Sequence, residues 1–230
     1  MPTDRILLKK YAMRVQHLFL LLVVPLFLSC KGGASENTAT GKSDAAASFP
    51  RECPDTYTVK LETTKGDILI DVHKDWAPRG AQQFWELVTS GYYTDIAFFR
   101  VIEGFIAQAG IHGNPDTNKK WREKKIADDP VKQGNAKGTV TFAMAGPGTR
   151  TTQFFVNFKD NHQLDNMGFA AFGKVRDLKV VEALHAGYGE GAPRGKGPSQ
   201  MLMQTKGNDY LKSSFPQLDY IKSASIVESK

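Results

Sequence analysis

Short apolar segments recur along residues 56–227, and each is bounded by Gly, Pro, Asn or Asp. The first two alternate apolar and polar residues around residues 65–67, which is typical of a β-hairpin. A later segment, residues 97–102, is predicted to be one continuous strand, and residues 220–227 form the last strand. About eight short strands in one chain predict a mainly β fold, whose antiparallel sheet curls or closes into a barrel.

Two segments have helical rather than strand periodicity. Residues 78–90 begin with Pro78, place their apolar residues on one stripe and end before Gly91. A shorter helix is predicted after Asp177, which would cap its N-terminus, and before Gly187. Each helix has one apolar face, so the two are predicted to cover the open ends of a barrel.

The N-terminus has the order of a secretory signal peptide. Four basic residues precede an unbroken apolar run at residues 18–28, which Ser29 and Cys30 follow. This run is too short to span the ~30 Å core of a bilayer as a helix, so we expect residues 1–29 to be removed. Met13 is an alternative start, because the sequence from there still contains a complete signal.

Leu28, Ser29 and Cys30 resemble the end of a bacterial lipoprotein signal, in which the cysteine is lipidated and becomes the new N-terminus. Phe27 and Leu28 stand where that pattern prefers Leu and a small residue. The resemblance predicts an exported protein that is anchored to a membrane through Cys30 and faces the periplasm or the cell exterior. The alternative is ordinary cleavage after Ala34, which gives a soluble secreted protein.

Residues 30–55 are predicted to be a flexible tether, because small and polar residues dominate them. The remaining residues, 56–230, are predicted to form one domain. Residues 1–29 hold four of the 30 basic and one of the 24 acidic residues, so the net charge falls from +6 to +3 without them. The lower charge weakens a nucleic-acid function. Cys53 has no disulfide partner if Cys30 is lipidated.

Three weak motifs are better explained by loops and solvated surface. Gly187, Gly189 and Ala192 loosely match a dinucleotide-binding pattern, but they follow a predicted helix and not a strand. The five histidines lack the spacing of metal ligands, and the basic residues of 119–125 are interpreted as a solvated face. We therefore expect no metal, no cofactor and no nucleic-acid partner.

Polar side chains that can donate hydrogen bonds lie among aromatic residues in two predicted strands. Arg100 and Gln108 accompany Phe105, and Gln153 lies two residues before Phe155. Alternate residues of a strand share a face, so these strands predict an apolar surface flanked by a guanidinium and two amides. The alternative is a barrel core in which Arg100 makes a structural ion pair.

Residues 98–110, 141–158 and 164–175 resemble the signature segments of the cyclophilin family of peptidyl-prolyl cis-trans isomerases. The elements F-x-R, G-F-x-x-Q-x-G, A-G-P and Q-F-F occur in the family's order and at similar spacing. The resemblance extends over nearly all of residues 56–227. It implies the family fold, which is a closed eight-stranded antiparallel β-barrel capped by two α-helices.

The resemblance also implies roles for individual residues. Arg100 is expected to be catalytic, and Gln108 is expected to orient Arg100 and the substrate. The expected substrate-binding residues are Phe105, Ile106, Phe155, Leu164 and Phe169 at the proline, Ala143, Met144 and Ala145 along the peptide backbone, and Gln153 in a neighbouring pocket. Phe169 takes the place of the family's pocket histidine, and Met144 stands where many members have Asn.

The resemblance therefore predicts an enzyme that accelerates rotation about X-Pro peptide bonds and assists the folding of exported proteins. Proline-containing peptides and unfolded proteins are its expected partners, and it is expected to act as a monomer. The alternative is a binding or chaperone module with little turnover, but the presence of Arg100 favours the enzyme. Residues 188–217 are interpreted as a surface insertion before the last strand, with a Gly- and Pro-rich loop at its start and a short helical turn at residues 208–215. The alternative is that the insertion tunes substrate choice or contacts a partner.

Overall fold

The computed structural model describes residues 52–229. The predicted signal peptide, the predicted lipidation site Cys30 and the tether up to residue 51 lie outside this range. Within it, no helix combines the length and the apolar composition needed to cross a membrane. Cys53, which the sequence assigned to the tether, is buried against the domain, and its N–H donates to Oε1 of Gln82 at 2.9 Å.

Within residues 52–229, nine strands form one sheet in which every neighbouring pair is antiparallel. They are β1 (Thr56–Thr63), β2 (Gly66–His73), β3 (Ile96–Ala97), β4 (Arg100–Ile102), β5 (Ile106–Ala109), β6 (Thr139–Phe142), β7 (Phe154–Asn157), β8 (Ala171–Val175) and β9 (Tyr220–Ser229). Their order in the sheet is β3, β9, β1, β2, β8, β6, β7, β5 and β4, so β3 and β4 are the edges. The predicted hairpin is confirmed, because β1 and β2 pair along their whole length.

The prediction of a closed eight-stranded barrel is wrong, because residues 97–102 do not form one strand. β3 pairs with β9 at one edge of the sheet, whereas β4 pairs with β5 at the other edge. Between them, the N–H of Phe98 donates to the carbonyl of Asp219 at 2.9 Å. One short segment therefore supplies both edges of the sheet. In the described part of the chain, no hydrogen-bonded strand pair joins these two edges, so the sheet is a half-barrel of nine strands.

Four α-helices accompany the sheet in the described part of the chain, where the sequence predicted two. α1 (Pro78–Thr89) and α3 (Lys179–Glu182) lie where helices were predicted. The predicted cap of the second helix is wrong by one residue, because Leu178 is its N-cap, although Oδ1 of Asp177 accepts the N–H of Lys179 at 2.9 Å. α2 (Pro115–Arg122) was missed because it buries only Asn118 and has no apolar stripe. Of α4 (Gln200–Ser214), only a short helical turn at residues 208–215 was predicted, and Gly207, with φ of 58°, interrupts the helix just before that turn. A 3-10 helix spans His162–Met167.

Aromatic side chains fill the main core between α1 and the sheet. The ring of Phe84 on α1 lies between 5.0 and 6.5 Å, centroid to centroid, from the rings of Tyr93, Phe142, Phe154 and Phe172. A second apolar cluster packs α4 against the connection between β3 and β4, and it contains Phe99, Ile111, Met203, Leu211 and Leu218. The insertion at residues 188–217 therefore carries its own part of the core.

A buried ion pair fixes the loop between β6 and β7. The side chains of Arg150 and Asp129 are 2% and 1% exposed, and Nη1 of Arg150 donates to Oδ2 of Asp129 at 3.1 Å. Asp129 also accepts the backbone N–H groups of Arg79 and Gly80 at the start of α1. The ion pair therefore connects residues 143–151 to α1.

Candidate active site

The register of the sheet places three side chains in a row. Arg100 on β4 lies opposite Gln108 on β5, and Gln108 lies opposite Phe155 on β7. Residues directly opposite one another in antiparallel strands have their side chains on the same face. The sheet therefore brings a guanidinium, an amide and an aromatic ring together, as the sequence predicted.

Hydrogen bonds connect the polar side chains beside this row. Nη1 of Arg100 donates to Oε1 of Gln108 at 3.1 Å, and Nε2 of Gln108 donates to Oε1 of Gln153 at 2.9 Å. Gln108 is only 6% exposed, and both the oxygen and the nitrogen of its amide are hydrogen-bonded to these two neighbours. Gln108 thus fixes one side of the Arg100 guanidinium.

An ion pair with Glu190 holds another side of the guanidinium. Nε of Arg100 donates to Oε1 of Glu190 and Nη2 donates to Oε2, both at 2.7 Å. These hydrogen bonds lower the pKa of Glu190 and outweigh partial burial, which raises it, so the carboxylate is ionised at neutral pH. Arg100 therefore has the ion pair of the alternative interpretation, but it also borders a cavity.

An apolar cluster lies beside Arg100. Ile106, Phe155 and Leu164 are buried in it, and Phe105, Ala143 and Phe169 pack against them. The rings of Phe155 and Phe169 meet edge to face with their centroids 5.8 Å apart. The guanidinium carbon of Arg100 lies 5.7 Å from the ring centroid of Phe105. The cluster is therefore an apolar surface with a cation at its border.

Asp165 and Asn135 position two members of this cluster. Oδ1 of Asp165 accepts the backbone N–H and Nδ2 of Asn135, both at 2.8 Å, and the same Nδ2 donates to the carbonyl of Phe169 at 2.7 Å. Partial burial raises the pKa of Asp165, but the hydrogen bonds from Asn135 and the interaction with His162 together outweigh it, and the pKa lies below its ordinary value. These bonds hold Phe169 and the 3-10 helix that carries Leu164.

Two adjoining cavities open at this surface. The apolar cavity has a volume of about 370 Å³ and is lined by the apolar cluster with Arg100, Gln108, Met144 and Glu190 among others. The polar cavity, of about 360 Å³, shares Gln108, Ala143, Met144 and Gln200 with it and adds Ala145 and Gln153 among others. All eleven residues predicted for catalysis and substrate binding line one or both cavities.

The sequence missed four residues of the apolar cavity. Met167 belongs to the 3-10 helix, and Glu190, Arg194 and Gln200 belong to the insertion at residues 188–217. The insertion is therefore part of the site and not only a surface elaboration. The Gly-rich start of the insertion has no helical or strand periodicity, so its own sequence did not indicate a place in the site. The available signal was Arg100, because an arginine among aromatic residues needs a counter-ion.

The weak motifs lie in different settings. Gly187, Gly189 and Ala192 belong to the loop between α3 and α4, which lacks the strand that a dinucleotide site requires. Arg122 and Lys125 of the basic run are exposed, as predicted, but they also line the polar cavity. Over residues 52–229, no group of three or more His, Cys, Asp or Glu side chains is placed to hold a metal ion.

The sequence matches known proteins over most of its length. The family model described as cyclophilin type peptidyl-prolyl cis-trans isomerase/CLD matches residues 58–203. Peptidyl-prolyl cis-trans isomerase cypE of Dictyostelium discoideum is 34% identical over 133 residues, which are 56% of this chain and 85% of that protein. Peptidyl-prolyl cis-trans isomerase CYP18-1 of Arabidopsis thaliana is 33% identical over 141 residues, which are 58% and 87% of the two chains.

The fold is also similar to solved structures. A cyclophilin type peptidyl-prolyl cis-trans isomerase of Cryptosporidium parvum superimposes with a TM-score of 0.54, at 23% identity, over 76% of this chain and 99% of that chain. A second structure of that protein, in the presence of the dipeptide Ala-Pro, gives a TM-score of 0.53. At this identity the comparison shows the fold alone.

Proposed function

This chain belongs to the cyclophilin family of peptidyl-prolyl cis-trans isomerases, and from that membership we propose that Arg100 is its catalytic residue and that Gln108 orients it. The observation that carries the proposal is the position of the guanidinium. It borders the apolar cavity, and the amide of Gln108 holds it from within the sheet.

The proposed substrate is a proline-containing segment of a peptide or an unfolded protein. The proline ring would occupy the apolar cavity against Phe105, Phe155 and Leu164, which are apolar and close to Arg100. The preceding residues of the substrate would pass residues 143–145 towards Gln153 in the polar cavity. The Cryptosporidium parvum structure determined in the presence of Ala-Pro supports this class of ligand.

The reaction needs a hydrogen-bond donor and no covalent intermediate. Rotation about an X-Pro bond has a barrier of about 20 kcal/mol, because the C–N bond has partial double-bond character. As the bond twists, the prolyl nitrogen loses its resonance with the carbonyl and becomes basic. A donor aimed at that nitrogen stabilises the twisted state more than the planar state, so it raises the rate. Arg100 would be that donor, beside apolar walls that exclude water.

The donor would not act alone in bringing isomerisation from tens of seconds to about milliseconds. An acceleration of about 10⁴- to 10⁵-fold corresponds to about 5.5–7 kcal/mol. A hydrogen bond to a charged group contributes about 1.5–3 kcal/mol. Binding of the peptide in a partly twisted conformation by the two cavities would supply the remainder.

Chemical-shift mapping on the full chain tests the substrate site. A tetrapeptide with a central Ala-Pro bond is expected to shift the amide signals of Phe105, Ala143, Phe155 and Leu164. The same peptide with Ala in place of Pro is the control, and it is expected to leave these signals unchanged. Shifts that are equal for both peptides, or that lie away from the two cavities, would contradict the proposed site.

We further propose that the protein assists the folding of exported proteins and is held at a membrane by lipid on Cys30. The support is the basic and apolar order of residues 1–29 followed by Cys30. A tether of this length has a reach of roughly 25–30 Å, which would leave the domain free to meet unfolded chains near the membrane. Intact mass is expected to show an N-terminus at Cys30 with attached lipid. An N-terminus at Ser35 without lipid would instead indicate the soluble secreted form.

We also propose that the protein acts as a monomer, because one chain supplies both cavities and the residues that hold Arg100. Light scattering on the purified full chain is expected to give the mass of one chain. A stable dimer would contradict this proposal.

A further inference from the structure

The loop between α3 and α4 places the carboxylate of Glu190 against the guanidinium of Arg100. Glu190 lies 90 residues after Arg100, and its carboxylate accepts two hydrogen bonds of 2.7 Å from it. The side chain of Glu190 is 33% exposed and that of Arg100 is 19% exposed, so the pair is shielded from water more than an ordinary surface ion pair. The geometry is bidentate, which fixes the direction of the guanidinium as well as its position.

The pattern of hydrogen bonds indicates that Glu190 holds Arg100 without blocking it. A guanidinium has five N–H donors. Glu190 takes the Nε donor and one Nη2 donor, and Gln108 takes one Nη1 donor. One N–H on each of Nη1 and Nη2 is therefore left after these three bonds. The apolar cavity lies beside the guanidinium, so these two donors are available to a bound peptide.

The backbone of the loop is built around Glu190. Its carbonyl accepts the N–H of Gly197 at 2.8 Å, and its Oε1 accepts the N–H of Gly191 at 2.9 Å in addition to the bond from Arg100. A Cβ at Gly195 would lie 2.3 Å from the carbonyl oxygen of Glu190, and a Cβ at Gly197 would lie 2.9 Å from it. Only glycine permits this approach, so the glycines keep the loop in the conformation that presents Glu190.

The two ends of the loop are attached to the domain. The ring of Tyr188 contacts the ring of Phe215 with centroids 5.0 Å apart. At the other end, Gln200 of α4 accepts a hydrogen bond of 3.3 Å from Gln153, the residue that also accepts from Gln108. The loop and the sheet thus hold the guanidinium from two directions.

We infer that Glu190 is a positioning residue for the isomerase reaction, which orients Arg100 so that its two remaining donors face the prolyl nitrogen and the adjacent peptide. The inference rests on the proposed catalytic role of Arg100. A displacement of about 1 Å at a reacting group can lower a rate by about 10²-fold, so loss of one of two supports has a measurable cost. Glu190 does not touch the substrate in this arrangement and acts through Arg100.

A double-mutant cycle on the full chain tests the inference. Glu190→Ala is expected to lower kcat/KM on a proline tetrapeptide about tenfold, mainly through kcat, because the pocket that binds the proline is unchanged. Glu190→Gln keeps the size of the side chain and is expected to lose less activity. In the Arg100→Ala background, Glu190→Ala is expected to have no further effect. Glu103→Ala, which removes an exposed carboxylate three residues after Arg100 in the sequence, is the matched control, and its activity is expected to be unchanged.

The outcomes separate the inference from the function on which it rests. Equal losses from Glu190→Ala in both backgrounds would show a structural role for Glu190 and overturn the inference. Unchanged activity in Glu190→Ala would also overturn it, and a rise in activity would show that the ion pair inhibits the enzyme. Unchanged activity in Arg100→Ala would instead overturn the proposed role of Arg100. Near-UV circular dichroism verifies that each variant is folded, and Glu190→Gln decides the matter if Glu190→Ala is not.

Discussion

Arg100 and Gln108 lie opposite each other in β4 and β5, and Nη1 of Arg100 donates a hydrogen bond of 3.1 Å to Oε1 of Gln108. Nε2 of Gln108 in turn donates a hydrogen bond of 2.9 Å to Oε1 of Gln153. A single buried side chain therefore connects the guanidinium at the apolar cavity with the polar cavity.

We predict that Gln108→Ala lowers kcat/KM on a proline tetrapeptide by about tenfold, which is about 1.4 kcal/mol. The substitution removes one support of Arg100 and leaves the amide of Gln153 without its donor. Gln163→Ala is the matched control, because Gln163 is exposed and lines neither cavity. Equal activity of Gln108→Ala and the wild type would show that Arg100 does not need this support.

Arg150→Met is predicted to lower the free energy of unfolding by about 3 kcal/mol, as measured by urea denaturation. The substitution leaves the carboxylate of Asp129 buried without its closest cation. The loss is expected at the lower end of the usual range, because Asp129 keeps the N–H groups of Arg79 and Gly80. Arg122→Met, at an exposed arginine, is expected to change stability by less than about 0.5 kcal/mol. A similar small loss in both variants would contradict the prediction.

The effect of Asp165→Asn on stability is predicted to depend on pH. The pKa of Asp165 is lower in the folded protein than its ordinary value, so its charge stabilises the fold above the ordinary value, near pH 4, and loses that effect as pH falls further. At pH 7 the substitution is expected to cost about 1 kcal/mol, since the group is partly exposed. The difference from the wild type is expected to shrink below about pH 4.

Urea denaturation of both proteins at pH 7, 5 and 3.5 measures this difference. A difference that is the same at all three values would show that the charge of Asp165 has no part in it. An increase in the difference between pH 5 and pH 3.5 would reverse the predicted sign.

Much of the domain could be predicted from local sequence. The hairpin of β1 and β2 and the helix α1 were predicted correctly, because apolar alternation and the Pro78 start are properties of neighbouring residues. The cyclophilin family was also predicted, and the matches to relatives confirm it. The predicted site residues line two adjoining cavities, because the motifs that contain them lie on neighbouring strands.

The features that local sequence did not predict depend on distant partners. The division of residues 97–102 between β3 and β4 is set by β9 and β5, which pair with opposite halves of the segment. Likewise, the glycines around Glu190 indicate a loop, but nothing nearby in the sequence shows that its carboxylate meets Arg100. Met203 and Leu211 of α4 are buried in a cluster that also contains Phe99 and Ile111, which come from a distant part of the sequence.

The rate of cis-trans isomerisation by Arg100→Ala is the most direct measurement of whether the guanidinium carries the reaction. It is made on a proline tetrapeptide with the full chain, by a protease-coupled assay or by NMR exchange, and near-UV circular dichroism verifies the fold. We predict that kcat/KM falls at least about tenfold while the spectrum is unchanged. Turnover equal to that of the wild type in a folded variant would contradict a catalytic role for Arg100.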